Sequence, residues 1–171
     1  MTYTIVNIIY GVIMWSKIKP YIIAILIPLA VGGLAAFLTR NSMNIYDQLN
    51  RPPLTPPGIV FPIVWTILYT LMGISSAMIY HERKANPMMA SMALATYAKQ
   101  LVLNFFWSII FFNLQNYLLA FIWLIFLWVS IIKMIYEFYQ INKTVAYLQI
   151  PYLIWVTFAG YLNLAIYLLN R

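Results

Sequence analysis

Five long apolar runs, separated by short polar stretches, dominate the chain. They cover Tyr21–Thr39, Ile59–Tyr80, Met88–Phe112, Tyr117–Phe138 and Thr144–Leu169. Each has about 20 residues, which is enough for a helix to cross the hydrocarbon core of a bilayer. A helix satisfies its own backbone hydrogen bonds there, whereas an open strand does not. The pattern predicts an all-α integral membrane protein, a bundle of five transmembrane helices.

The connections between the runs differ in length. Three are short, which predicts antiparallel packing of neighbouring helices. The first connection, from Arg40 to Gly58, is longer and contains four prolines, which stiffen the backbone by fixing φ. A long, stiff loop in a chain this small is more typical of a lid or binding loop than of a spacer.

The residues before the first run are not predicted to form a span of their own. The stretch Tyr3–Trp15 is apolar but too short to span a bilayer, and its basic neighbours Lys17 and Lys19 follow it, which is atypical of a signal peptide. We interpret residues 1–19 as an N-terminal extension, either interfacial or the product of an over-long start with Met14 as the true initiator. Residues 20–171 then form a single transmembrane domain.

Composition supports the membrane assignment and narrows the function. Hydrophobic residues make up 64% of the chain and charged residues 8%, against about a quarter charged in soluble domains. The net charge of +7 arises from basic residues that lie singly or in pairs near the ends of the runs, a distribution that argues against a nucleic-acid surface. The absence of cysteine excludes disulfides and thiolate chemistry.

The basic residues also predict an orientation. One side would carry five of them and the other side three, and the richer side is expected to be cytoplasmic. We therefore expect a multi-pass protein of the cell membrane with a cytoplasmic N-terminus. The five are Lys17, Lys19, Arg83, Lys84 and Lys143, and the three are Arg40, Arg51 and Arg171.

The third run has two different faces. At about 100° per residue, Gln100, Asn104 and Trp107 fall on one side, and the small residues Ser91, Ala95 and Ala98 fall on the other. The small face allows close helix approach and is our expected homodimer contact. A buried amide in lipid needs a partner or a ligand, so the amide face either joins helices or faces a ligand site.

Aromatic side chains recur on two further runs. Trp65 and Tyr69 share a face of the second run, and Trp155 and Ala159 share a face of the fifth, with Tyr152 at its edge. Such stripes are usually packing surfaces. Three stripes that each carry an indole away from the interface belts predict an aromatic-walled cavity suited to a flat, apolar ligand.

Residues for acid–base or metal chemistry are scarce. His81 is the only histidine, and the three carboxylates fall in or beside different connections, so we expect no metal site and no carboxylate pair. Lys99 and Lys133 lie inside runs and are candidates for an ion pathway, but both can snorkel, and Lys133 can pair with Glu137 one turn away. We favour the structural interpretation of both lysines.

At these positions the sequence resembles the translocator protein family, also known as tryptophan-rich sensory proteins or peripheral benzodiazepine receptors. The similarity extends from about Pro20 to the C-terminus and is carried by the first loop and three helices. The matching residues are Tyr46-Asp47-Gln48-Leu49, Pro52, Thr55-Pro56-Pro57-Gly58, Phe61 and 64–73; Gln100, Leu101, Leu103, Asn104, Trp107, Phe111 and Phe112; and Pro151-Tyr152, Trp155, Phe158-Ala159, Leu162-Asn163 and Leu169-Asn170.

The resemblance implies a five-helix bundle, often a homodimer, with a cavity open towards the first loop. It implies binding of tetrapyrroles such as protoporphyrin IX, and of isoquinoline carboxamide and benzodiazepine drugs. The implied lining residues are Trp65, Asn104, Trp107, Trp155 and Ala159, with Tyr46 and Pro56 contributed by the lid. Leu54 departs from the family, which usually has an aromatic residue before Thr-Pro-Pro.

Three functional hypotheses remain open from the sequence. The first is a membrane receptor or carrier that binds a porphyrin, with no required cofactor and with Gln100, Asn104 and Tyr152 beside the ligand. The second is light-dependent porphyrin degradation, for which Trp65 and Trp155 would be the redox-capable groups. The third is a small transporter or channel subunit, disfavoured because no inverted repeat is visible.

Overall fold

The described chain is a helical bundle in which five stretches can cross a membrane. The computed structural model describes residues 2–42 and 48–171. We number its α-helices in chain order. They are α1 Thr2–Thr39, α2 Val60–Glu82, α3 Pro87–Ser108, α4 Tyr117–Ile141, α5 Lys143–Tyr147 and α6 Ile150–Leu169. The membrane-spanning stretches are Lys17–Thr39, Val60–Glu82, Pro87–Asn113, Tyr117–Ile141 and Lys143–Leu169.

The predicted spans and the observed helices agree closely, since long uninterrupted apolar runs have no other way to satisfy their backbone in lipid. The five-helix bundle is therefore confirmed. The N-terminal extension is helical and continuous with the first span, because α1 starts at Thr2 and passes through Pro20. Its interfacial location stays a prediction.

Local signals fix the helix ends. Pro87 opens α3, a position where its missing N–H costs nothing. The side chain of Asn116 accepts a hydrogen bond from the backbone N–H of Leu119 at 3.0 Å and caps α4. Asn142 does the same for α5 through the N–H of Thr144 at 3.0 Å. These signals fix where α3, α4 and α5 begin and allow tight connections before them.

The third span changes geometry before it ends. After Ser108, the helix continues as a π-helical turn over Ile109–Asn113. Turns of this kind are uncommon and concentrate at functional sites. The Asn113 side chain also ties this end of the span to α1, donating to the carbonyl of Leu38 at 3.1 Å and accepting from the Ser42 hydroxyl at 2.9 Å.

Glycines let α1 and α2 approach closely. A Cβ on Gly73 would overlap the Cα of Ile25 and lie 2.7 Å from the carbonyl oxygen of Ala24. A Cβ on Gly32 would lie 2.8 Å from Cζ of Tyr69. Two glycines on facing helices thus remove the side chains that would hold the backbones apart, as is common between membrane helices.

The two faces of α3 point in opposite directions. Gln100 and Asn104 are buried in the bundle, whereas Ser91, Ala95 and Ala98 are exposed on its outer surface. The outward position of the small face is compatible with contact to a second copy of the chain. The two lysines within spans also lie on the outside: Lys99 is exposed, and Lys133 Nζ lies 3.7 Å from Glu137 Oε1. The predicted Lys133–Glu137 pair is confirmed.

Candidate functional site: an aromatic cavity below the first loop

A cavity of about 710 Å³ lies in the half of the bundle where α1 ends and α2 begins. Its volume is within the usual range for small-molecule sites. The walls come from α1, the start of α2, the end of the third span and α6. The lining residues are Leu29, Gly32, Gly33, Ala35, Ala36, Thr39, Gly58, Phe61, Pro62, Trp65, Thr66, Tyr69, Trp107, Ser108, Phe111, Phe112, Ala159, Leu162, Asn163 and Ile166.

A buried hydrogen-bond chain begins at Tyr69 on the cavity wall and continues into the core of the bundle. The Tyr69 hydroxyl donates to Asn104 Oδ1 at 2.8 Å, and Asn104 Nδ2 donates to the Tyr152 hydroxyl at 3.3 Å. Tyr152 in turn donates to Gln100 Oε1 at 2.8 Å. These four side chains belong to α2, α3 and α6, so the chain joins three helices. Leaving any of them unpaired in the bundle core would be costly.

A second chain fixes one indole of the wall. Trp107 Nε1 donates to Asn163 Oδ1 at 3.1 Å, and Asn163 Nδ2 donates to the carbonyl oxygen of Tyr117 at 2.8 Å. Because Tyr117 opens α4, the Asn163 amide connects α3, α6 and α4. The Trp107 ring is thereby held in one orientation, and its N–H already donates to a protein acceptor, Asn163.

Aromatic contacts hold the other indoles. Trp65 stacks on Tyr69 with ring centroids 5.2 Å apart and meets Tyr152 edge-on at 6.1 Å. Trp155 meets Phe61 edge-on at 5.9 Å. Phe61 and Trp65 line the cavity, and Trp155 packs behind Phe61. The wall is therefore a set of rings with fixed mutual geometry, which can stack on a flat ligand without much loss of rotamer freedom.

The electrostatic character of the cavity is neutral. Among the described lining residues, none carries a charge at neutral pH. Positive charge lies at its outer end, where Arg40 follows Thr39 and places its guanidinium 4.2 Å from the centroid of the Phe37 ring. Such a site favours an apolar body and leaves charged groups of a ligand to the region of the first loop.

The structure separates the predicted site residues into three groups. Trp65, Trp107 and Ala159 line the cavity directly. Gln100, Asn104 and Tyr152 form the buried chain just below Tyr69. Two residues lie farther out. Trp155 packs behind the wall, and Pro56 is partly buried in the first loop but is not on the wall. Tyr46 lies outside the described residues.

Several wall residues were missed by the sequence interpretation. All those on α1 belong to this group, including Leu29, Gly32 and Thr39. The Gly32-Gly33 pair was the available signal, because adjacent glycines in a membrane helix indicate a close approach by another element. Gly32 marks the position of the Tyr69 ring. Asn163 was identified from the sequence only as a residue that matches the family, although it fixes Trp107.

Comparisons with known proteins agree with this architecture. Residues 24–169 match the TspO/MBR family. The chain is 40% identical over 155 residues to the tryptophan-rich protein TspO of Archaeoglobus fulgidus, covering 90% of this chain and 99% of the relative. It is 32% identical over 156 residues to the tryptophan-rich sensory protein of Cereibacter sphaeroides, covering 91% and 92%. It is 34% identical over 139 residues to the translocator protein of Bos taurus, covering 81% and 82%.

The family match covers four membrane-spanning stretches completely and the first, Lys17–Thr39, from residue 24 onward, and it includes both hydrogen-bond chains of the cavity. The protein is a multi-pass membrane protein, and it belongs to the TspO/MBR family.

Proposed function

We propose that this protein is a membrane receptor or carrier that binds a planar tetrapyrrole of the protoporphyrin IX type in the aromatic cavity. The observation that carries the proposal is a cavity of about 710 Å³ walled by fixed indole, phenol and phenyl rings and free of charged side chains among the described residues. Burial of a flat macrocycle between such rings would supply most of the affinity. The names of the relatives, a sensory protein and a translocator protein, suit a ligand-responsive or ligand-moving role.

Protoporphyrin IX titration of purified protein in detergent tests the proposal. Binding should quench tryptophan emission, and Trp65→Phe combined with Trp155→Phe should reduce the quenching, because Trp65 lies on the wall and Trp155 directly behind it. Trp128→Phe is the control, since its Nε1 donates to Thr157 at 2.8 Å on α6, away from the cavity. Quenching undiminished by the double change would count against this site.

A cavity-filling variant tests the same site by affinity. Ala159→Phe places a ring where the ligand would lie and should weaken protoporphyrin IX binding at least tenfold, a loss of about 1.4 kcal/mol. Ile154→Phe is a matched control, because Ile154 is on the same helix but 63% exposed on the outer surface. Equal affinities for the two variants would place the porphyrin somewhere else.

We further propose a cytoplasmic N-terminus in the cell membrane, so that the cavity and first loop face outward. The excess of basic residues on the opposite side supports this orientation. The chain has no cysteine, so single substitutions can be labelled without background. A membrane-impermeant maleimide should label Arg171→Cys in intact cells and label Lys84→Cys only after lysis. The reverse pattern would invert the topology.

We also propose a homodimer through the exposed small face of α3, formed by Ser91, Ala95 and Ala98. Ala95→Trp should obstruct that contact and reduce the hydrodynamic size to that of a monomer. Ile132→Trp, on the outer surface of α4, is the control. An unchanged size for Ala95→Trp would exclude this face as the interface.

A further inference from the structure

The described part of the first loop is fastened to α6 by two side chains that bracket the cavity wall. Asn170 lies at the end of α6 and pairs with both backbone groups of Asn50: its Oδ1 accepts from the N–H at 2.9 Å, and its Nδ2 donates to the carbonyl oxygen at 3.0 Å. Tyr161 donates its hydroxyl to the carbonyl oxygen of Pro53 at 3.1 Å. Between these two positions, α6 contributes three residues to the cavity wall, Leu162, Asn163 and Ile166.

The fastened segment contacts the cavity wall near both of its ends. Leu49, one residue before Asn50, packs against a cluster that contains Phe111 and Ile166, both of which line the cavity. Farther along the loop, Gly58 is itself part of the wall. The hydrogen bonds to α6 therefore hold a loop segment that packs against the wall residues at Leu49 and forms part of the wall at Gly58.

The loop is internally stiff around Pro53, the second position at which it is held to α6. The Thr55 hydroxyl donates to the carbonyl oxygen of Pro52 at 2.7 Å, which closes a turn. Within that turn Leu54 has φ of 70°, a left-handed conformation that costs a residue with a side chain about 1 kcal/mol. A strained turn persists only where surrounding contacts hold it. The contact of Pro53 with α6 lies within this turn, and that of Asn50 lies just before it, so the contacts to α6 hold the turn in place.

We propose that Asn170 and Tyr161, here called the loop clasp, are positioning residues that control aqueous access to the cavity. An asparagine amide can donate and accept at once, which is why a single side chain satisfies both backbone groups of Asn50. Breaking the clasp lets residues 48–59 lift from α6. The buried hydrogen bonds that link Tyr69, through Asn104 and Tyr152, to Gln100 stay intact, because the clasp shares no residue with them. The clasp would control how fast a ligand exchanges with water, so its role in ligand exchange rests on the proposed function.

The first test needs no ligand. In a Ser108→Cys background, the new thiol lies on the cavity wall, and its rate of modification by a quaternary-ammonium methanethiosulfonate reports how often the aqueous mouth is open. Tyr161→Phe should raise that rate about fivefold, the equivalent of one hydrogen bond of about 1 kcal/mol, and its combination with Asn170→Asp should raise it more than tenfold. Ala159→Cys, also on the wall, serves if Ser108→Cys fails to fold.

Tyr167→Phe is the matched control. Tyr167 is on the same helix and donates to no carbonyl of the loop residues that the structure describes. Modification rates within twofold of the background for both clasp variants would overturn the proposal, as would an equal rise in Tyr167→Phe.

The second test uses protoporphyrin IX in stopped flow with the native cysteine-free chain. The clasp variants should release the porphyrin at least fivefold faster, and the control should match wild type. A wild-type protein that does not bind protoporphyrin IX would refute the proposed function, and the thiol modification rates would still decide whether the clasp gates the cavity. Normal porphyrin binding with unchanged release rates would overturn the clasp alone.

Discussion

A single methyl group at Gly73 should separate the first two helices. The Cβ of Gly73→Ala would overlap the Cα of Ile25 and lie 2.7 Å from the carbonyl oxygen of Ala24, where ordinary contacts are about 3.5–4.0 Å. Both neighbours belong to the α1 backbone, so no side-chain rotation relieves the overlap. The helices must move apart by roughly 1 Å, and α1 carries one wall of the cavity.

Two opposing effects determine how much Gly73→Ala changes the free energy of unfolding. Overpacking of a close interface costs about 1–3 kcal/mol, and a backbone clash belongs at the upper end of that range. Replacing glycine by alanine within a helix returns about 1 kcal/mol. Gly73→Ala should therefore lower the free energy of unfolding by about 2 kcal/mol, with a parallel loss of ligand affinity as α1 shifts.

Gly33→Ala separates the clash from the change in helix propensity. Gly33 is also inside a membrane helix, but a Cβ there has no heavy atom within 4 Å. That variant should gain about 1 kcal/mol from propensity alone. The free energies of unfolding of both variants can be measured by reversible unfolding in mixed dodecyl sulfate micelles, with tryptophan emission as the signal. A difference between the two variants of less than about 1 kcal/mol would refute the close α1–α2 contact.

Two other predictions follow from polar groups within the spans. Asn104→Leu leaves the hydroxyl groups of Tyr69 and Tyr152 without their amide partner, and should lower the free energy of unfolding by about 2–3 kcal/mol in the same micelle assay; a change below about 0.5 kcal/mol would contradict the hydrogen-bond chain. Lys133→Met removes an ion pair whose lysine is 66% exposed, so stability should change by less than about 0.5 kcal/mol. A larger loss of stability in Lys133→Met would show that Glu137 needs the charge of Lys133 to be tolerated in the span.

Much of the fold was predictable because the bilayer restricts the choices. Apolar length alone gave the spans to within a few residues, apart from the first helix, which begins at Thr2. The orientation of the third helix was also predictable. Gln100 and Asn104 are too costly to expose to lipid, whereas Ser91 and Ala95 are not.

The partners of the buried amides were not predictable. Asn104 bonds to Tyr69 and Tyr152, which lie 35 and 48 positions away in the chain. Periodicity assigns a residue to a face, but pairing across helices depends on their relative rotation and depth. The structure shows these amides joining α2, α3 and α6, which was one of the two alternatives. Direct contact between Asn104 and a ligand stays a prediction.

The polar groups of the wall limit how the cavity can select a ligand. The Tyr69 O–H and the Trp107 N–H already donate within the protein, and no charged side chain lines the described cavity. Selection must therefore depend mainly on shape and apolar area, with few directional bonds. The carboxylates of a tetrapyrrole would have to point outward, towards the loop side where Arg40 and Arg51 lie, because an unpaired charge among these rings would be too costly.

On this reasoning an esterified porphyrin should retain most of its affinity and lose mainly the salt-sensitive part. A diester that bound more than about a hundredfold more weakly than the free acid would require charged contacts inside the cavity, contrary to the wall described.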